Sequence, residues 1–398
     1  MHIRTCFTIP CFAALMGSAL LAKAEPLFTM TFLPDWLNAS TINNAGQMAG
    51  FMRVPGGAHA FLYTNGDVRD LGTLGGTYSL VSAMSDNGMV TGYSALAFDR
   101  SSNAFIYANG TMRNLGTLPG GSTSGAASIN NFGQVAGAAD TGTGEWHAVL
   151  ADSRGMRDLG TLGGKYSSGT GINNAGHVVG YSSLGGDESA THAFLYRDGV
   201  MTDLGDLGGI GSYAQGINDH DQIFGGVVDG PQAARPFLYA DGELTMLGDL
   251  GGQYSNAWDI NNLGQVVGEA TLPNDPDSRR GFLYTEGKML NINALIDSGL
   301  GWTVASATGI NDSQQILGYA CRSRDLCRPV RLDPISPPPI PEPGSLAMLL
   351  AGLTAGGLWR GLQRSRTRMG LLTGEARRSM APLSPVPGGA RPAQSRSH

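Results

Sequence analysis

One block of residues recurs seven times, and that recurrence limits what this chain can fold into. In its fullest form the block reads Gly171-Ile172-Asn173-Asn174-Ala175-Gly176-His177-Val178-Val179-Gly180-Tyr181. His192-Ala193-Phe194-Leu195-Tyr196-Arg197-Asp198-Gly199 follows, and then Met201-Thr202-Asp203-Leu204-Gly205-Asp206-Leu207-Gly208-Gly209. Its turn position falls at Gly46, Gly88, Gly133, Gly176, Asp221, Gly264 and Gln314, spaced by 42, 45, 43, 45, 43 and 50 residues. A period of this length means an array in which each copy buries its apolar face only against its neighbours, as in a propeller or a solenoid.

Each copy reads as about four short strands. Residues 167–172 form the first. Asn173-Asn174-Ala175-Gly176 is a turn, because Asn bonds its own backbone and Gly takes positive φ freely. His177-Val178-Val179-Gly180-Tyr181 is the second strand, and a polar loop leads to Ala193-Phe194-Leu195-Tyr196, the third. Asp198-Gly199 makes a tight hairpin turn into Val200-Met201-Thr202-Asp203-Leu204, the fourth. Helical repeats of similar period need amphipathic helices, which 60 glycines in 398 residues would break. Four strands per 40 to 50 residues is the arithmetic of a β-propeller blade. The expected fold is therefore all-β, a seven-bladed propeller spanning residues 25–335.

The seventh copy tests ring closure. It has Ile310-Asn311-Asp312, Gln315 to Tyr319 and Val330-Arg331-Leu332, but lacks a last strand. Residues 27–33, Leu-Phe-Thr-Met-Thr-Phe-Leu, alternate as a strand and precede the first Asn-Asn turn. Pairing these two ends would close the ring and remove an open edge. The Ser-, Gly- and Ala-rich first strands suit the crowded axis. Val178, Val179, Phe194, Leu195 and their equivalents should pack between blades, each large side chain contributing about 1.5–3 kcal/mol.

The two ends carry processing signals. His2 and Arg4 start the chain, an apolar stretch follows over residues 6–21, and Ala22-Lys23-Ala24 has the small-x-small form of a cleavage site. Signal peptidase is the expected partner, cutting between Ala24 and Glu25. Near the other end, prolines at 337–339 lead to Pro341-Glu342-Pro343, an apolar segment over residues 344–359, and Arg360, Arg364, Arg366 and Arg368. Sixteen helical residues reach about 24 Å, a short transmembrane-type helix, with its arginines on the cytoplasmic side of an inner membrane. Residues 369–398 are rich in Pro, Gly, Ser and Arg and read as a disordered tail.

These C-terminal parts resemble the PEP-CTERM sorting signal of Gram-negative bacteria that make exopolysaccharide. The resemblance implies an exosortase-type processing peptidase as partner and a cell-surface or extracellular destination. His59-Ala60-Phe61-Leu62-Tyr63 and His192-Ala193-Phe194-Leu195-Tyr196, with Asp-Leu-Gly-Thr-Leu-Gly-Gly at 70–76 and 158–164, are similar to the extracellular HAF repeat family. That likeness implies propeller form and surface location, without an assigned activity.

Residues 25–335 hold 30 acidic against 16 basic side chains, a net of −14, which would repel phosphate backbones and excludes nucleic acid as a partner. Cys6 and Cys11 belong to the leader; Cys321 and Cys327, six apart, should form a disulfide in an oxidising compartment. The histidine before Ala-Phe (His59, His192) or Ala-Val (His147) reads as a strand-end residue bonding a loop carbonyl. The aspartate of Asp-Leu-Gly (Asp70, Asp158, Asp203) reads as an Asx turn or, with oxygen ligands, a calcium site. No nucleophile elbow, phosphate-binding loop or His-Glu-x-x-His occurs, so no cofactor and no metal is expected. The widest departures from the repeat, residues 183–191 and 272–280, read as solvated loops. The resulting expectation is an exported, non-enzymatic binding or structural module for exopolysaccharide or matrix. The alternative is a carbohydrate-active enzyme using carboxylates from different blades at one end of the axis.

Overall fold

The computed structural model describes residues 26–335 apart from Pro231, Gln232, Asn274, Arg324 and Asp325. The cleavage position at Ala24 and Glu25, the Pro341-Glu342-Pro343 motif, the apolar segment and Arg360, Arg364, Arg366 and Arg368 lie outside the described residues. Among the described residues no helix is long and apolar enough to cross a membrane.

The described residues are all-β: 28 strands and three single-turn 3-10 segments. The strands make seven antiparallel groups of four, here called units. Units one to six span residues 37–70, 75–114, 124–160, 163–203, 211–246 and 255–291. Single parallel pairings, Ala58 with Tyr78 and Trp146 with Tyr166, join units one and two, and units three and four, into continuous sheets. Unit seven has three strands of its own, Thr303–Ile310, Ile316–Ser323 and Leu326–Pro334. Its fourth is Phe28–Phe32, paired antiparallel in the register Phe28 to Pro334 through Phe32 to Val330. The expected pairing of residues 27–33 with the last strand is thus present; it covers the edge of Leu326–Pro334 and makes Phe28–Phe32 the outer strand of unit seven.

Within a unit the strands follow from the repeat. In units one, two, four, five and six the third and fourth strands are joined by two-residue turns with both φ angles positive, Asp198 at 53° and Gly199 at 84°, whereas unit three turns through Ser153-Arg154 into Gly155 at 122°. That twist matches the flanking strands, and an Asp-Gly or Asn-Gly pair reaches it with least strain. The third residue of the second strand is a glycine in every unit: Gly50, Gly92, Gly137, Gly180, Gly225, Gly268 and Gly318. The first strand bulges across it, so a Cβ at Gly180 would lie 1.8 Å from the Ser168 carbonyl oxygen. Gly180 is also the register partner of Phe194. Phe61, Phe105, Phe194, Phe237 and Phe282 each lie opposite such a glycine and are fully buried.

Alternation sends successive side chains to different neighbours. Val178 and Phe194 pack on Ala136, Ala148, Leu150 and Leu159 of unit three. Val179 and Leu195 pack with Ala214, Ile217, Ile223 and Phe237 of unit five. The core is therefore a set of apolar layers between units, as the repeat required. The segments expected as loops are mostly strand. Residues Asp187–Arg197 and Asp275–Thr285 extend their hairpins, with Ser183 opposite Thr191 and Thr271 opposite Arg279. Their polar composition reflects exposure of a projecting hairpin rather than irregular backbone.

Candidate functional site

All seven first strands end at one cavity of about 210 Å³, where the Asn-Asn turns of the repeat converge. The second residue of each turn is Asn44, Asp86, Asn131, Asn174, Asp219, Asn262 or Asp312. Each backbone N–H donates to the side-chain Oδ1 of the next one. The bonds run Asn44 to Asp86 (3.1 Å), Asp86 to Asn131 (2.8 Å), Asn131 to Asn174 (2.9 Å) and Asn174 to Asp219 (2.9 Å). They continue Asp219 to Asn262 (2.9 Å), Asn262 to Asp312 (2.8 Å) and Asp312 back to Asn44 (2.7 Å). The last bond joins residues 268 apart in sequence.

The three carboxylates in this belt are never adjacent. Asp312 Oδ2 accepts from the amides of Asn44 (2.8 Å) and Asn262 (3.0 Å), Asp219 Oδ2 from Asn174 (2.8 Å), and Asp86 Oδ2 from Asn131 (3.2 Å). An amide between every two carboxylates separates like charges and supplies donors to both.

A second belt lies beneath. The first Asn of each turn caps its own turn through Oδ1, as Asn173 does for the N–H groups of Ala175 (3.1 Å) and His177 (3.0 Å). Its Nδ2 reaches the equivalent carbonyl of the next unit: Asn130 to Asn173, Asn173 to Asn218, Asn218 to Asn261, Asn261 to Asn311 and Asn311 to Asn43, at 2.9–3.1 Å. Unit two has Ser85 there, whose hydroxyl stays on Asn87 (2.6 Å), and Asn87 Nδ2 makes the crossing to the Asn131 carbonyl instead (2.8 Å). Turn chemistry was legible in sequence; this crossing between units was not.

A larger cavity of about 540 Å³ adjoins the first, and both share Thr41, Ser128 and Asp259 in their walls. Ser40, Ser82, Ala127, Thr170 and Thr308 occupy equivalent positions two before the turn-side isoleucine or methionine, and all are small. Units five and six place Gln215 and Trp258 there. Trp258 is 41% exposed, and Gln215 Oε1 is buried without a hydrogen-bond partner. Beside Trp258, Asp259 accepts from the Ile260 N–H (2.9 Å) and, across the unit boundary, from the Ile310 N–H (2.9 Å). Burial, helped by the charge of Asp312, outweighs those bonds and raises the carboxyl from 3.8 to about 7. Ser128 makes the corresponding crossing in unit three, accepting from the Ile172 N–H at 3.3 Å.

The recurring His and Asp form pairs within a unit. Nδ1 of His59, His147 and His192 lies 2.8–2.9 Å from Asp70, Asp158 and Asp203 respectively. The histidine partner is thus a carboxylate across the hairpin, not a loop carbonyl as expected, because strand pairing places the two positions side by side. The same aspartates accept from the Gly72, Gly160 and Gly205 N–H groups, so the expected Asx turn is present. Unit two replaces the pair with Asn103 and Asn114 at 3.1 Å. Asp70, Asp158 and Asp203 line neither central cavity, and among the described residues no group of side chains is arranged to hold a metal.

Cys321 and Cys327 are register partners and are joined by a disulfide across the second hairpin of unit seven. In unit six, Arg279 pairs with the buried Glu269, and its guanidinium sits 4.8 Å over the Tyr254 ring. Arg279 comes from a segment read as a featureless loop, so this contact too was missed.

Comparison with solved structures supplies the name of the architecture. The β-propeller domain of the Trilobed protease from Pyrococcus furiosus superimposes with a TM-score of 0.51 at 9% identity, over 76% of this chain and 94% of that one. The fold is β-propeller-like. A puromycin-hydrolyzing peptidase of Mycobacterium tuberculosis gives a TM-score of 0.51 at 12% identity, over 78% of this chain and 55% of that one. TolB from Acinetobacter baumannii matches at 0.43 and 13% identity, over 77% and 65%. No family model matches the sequence, and no curated protein does. At such identities the likeness concerns the propeller fold alone.

Proposed function

We propose that the chain is a closed seven-bladed β-propeller, exported and surface-associated, that serves as a non-enzymatic module binding exopolysaccharide or another matrix glycan. The end-to-end strand pairing and the unbroken belt from Asn44 to Asp312 and back support closure. The leader, the Pro-Glu-Pro motif and the arginine cluster support export, processing by signal peptidase and an exosortase-type peptidase, and delivery to the outer surface.

The observation that carries the binding reading is an aromatic ledge between units three and four. Trp146 and Tyr166 are register partners across that boundary, and both are exposed, at 38% and 45%. Flat aromatic faces with a wet edge suit the apolar face of a sugar ring. A glycan screen with the full chain tests this. Binding to a polysaccharide that Trp146→Ala and Tyr166→Ala weaken at least tenfold supports it; silence across acidic and neutral polysaccharides overturns it.

A second reading has one observation in its favour. Asp259 and Asp312 come from different units, and the first holds its proton to about neutrality, as a general acid would. Both Asp259 oxygens, however, are taken by backbone N–H groups, which supports a positioning and charge role over proton transfer to a substrate. Release of reducing ends from a bound polysaccharide, lost in Asp259→Ser, would reverse that preference.

A further inference from the structure

The larger central cavity breaks the repeat at one place only: the neighbouring positions Gln215 and Trp258, with Asp259 beside them. Small residues at these positions suffice to complete the ring elsewhere, so the exceptions call for another reason. Their unsatisfied or charged groups are all acceptors. Gln215 presents a buried acceptor with no donor. Asp259 contributes a carboxyl, Trp258 an exposed indole face, and Phe224 an apolar wall. The remaining polar lining is hydroxyl, no Lys or Arg lines the cavity, and the adjoining smaller one adds Asp86, Asp219 and Asp312. Everything that is charged or unsatisfied there asks for a positive donor.

We infer that the cavity binds a small organic ammonium compound, its N–H groups directed to Gln215 and the field of Asp259, its carbon body against Trp258. The volume of about 540 Å³ admits a single amino sugar or a short amine. This inference is independent of glycan binding at the outer ledge.

Asp259 makes the binding pH-dependent. The strand Gly211–Ile217 beside it carries Tyr213, whose ionisation burial pushes up, and Thr303–Ile310 on its other side carries no titratable side chain. Val266–Leu272, paired to its own strand, carries Glu269, already matched by Arg279. Asp312 adds only negative charge. Arg235 on the packed strand Ala233–Ala240 is held by Asp229, and no cation acts on the Asp259 carboxyl, so a bound ammonium is what would hold it ionised, and binding should release its proton and strengthen as pH rises toward about 7.

The test is calorimetric titration of the full chain with D-glucosamine and, as its uncharged counterpart, D-glucose, followed also by tryptophan fluorescence. Glucosamine should bind saturably and at least tenfold more tightly than glucose, and should weaken at least fivefold from pH 7 to pH 5.5, a range in which its own amine stays mostly protonated. Gln215→Met keeps the bulk and removes the acceptor; Asp259→Ser installs the residue that unit three uses as Ser128. Each should weaken glucosamine at least fivefold with an unchanged circular dichroism spectrum. Equal binding of the two sugars, no binding at 20 mM (about the weak end of useful affinity), or wild-type affinity in both variants overturns the proposal.

Discussion

Single residues here serve two ranges at once. Asn173 caps its own turn with Oδ1 and ties the next unit with Nδ2, so local rules account for half of its bonds. The first half is legible because it spans two to four residues. The second reaches a carbonyl 45 residues away, and only the curvature of the array brings it there. Asp259 was wholly illegible: in sequence it is one polar residue in a strand, and its environment is made by units six and seven together. Its raised carboxyl carries a stability signature. Below about pH 4 both folded and unfolded chains hold the proton. Between about 4 and 7 the unfolded chain loses it first, so stability falls as pH rises, on the order of 2–4 kcal/mol in all, and levels off above about 7. Urea unfolding at pH 4.5 and 7.5 should show this fall in the native chain and a smaller one in Asp259→Ser; identical slopes would exclude the effect.

At the level of strands and hairpins, the repeat conveyed strand number, turn type and apolar alternation, because these depend on periods of two and on backbone rules. It did not convey why the third residue of every second strand is glycine. That reason is tertiary contact inside the unit: the bulged first strand brings a carbonyl oxygen to where a Cβ would stand. Gly180→Ala should therefore cost about 2–4 kcal/mol by forcing backbone apart, comparable to Phe194→Ala at about 3–5 kcal/mol. Chemical denaturation measures both, and a Gly180→Ala cost under 0.5 kcal/mol would contradict the close approach. The His-Asp pairs follow the same logic. Unit two carries Asn103 and Asn114 at those positions, so replacing His192 and Asp203 together by Asn should be tolerated within about 1 kcal/mol. His192→Ala alone leaves Asp203 without its cross-hairpin partner and should cost about 1 kcal/mol. A double variant less stable than the single one would argue against interchangeable hairpin clasps.

Across the described residues, the decisive contact is between the first strand and the last. Removing residues 27–33 strips unit seven of one strand, exposes the edge of Leu326–Pro334 and takes Phe28 out of the layer it shares with Ile292 and Val330. The truncated chain should lose cooperative unfolding and aggregate, seen by calorimetry and light scattering; a monomer with the native melting temperature would mean that the pairing contributes little. The disulfide at Cys321 and Cys327 closes a short loop, so replacing both by Ser should cost only about 2 kcal/mol on the loop-entropy account.

Periodicity was enough to establish a β-array of seven units and to pair its first strand with its last, since both rest on counting strands whose patterns are local. The union of Gln215, Trp258 and Asp259 in one cavity, the belt of amide-separated carboxylates around the adjoining smaller one, and the carboxylate partner of each repeated histidine arose only on folding. Each depends on which positions curvature and strand register bring within about 3 Å, a distance that no spacing along the chain encodes.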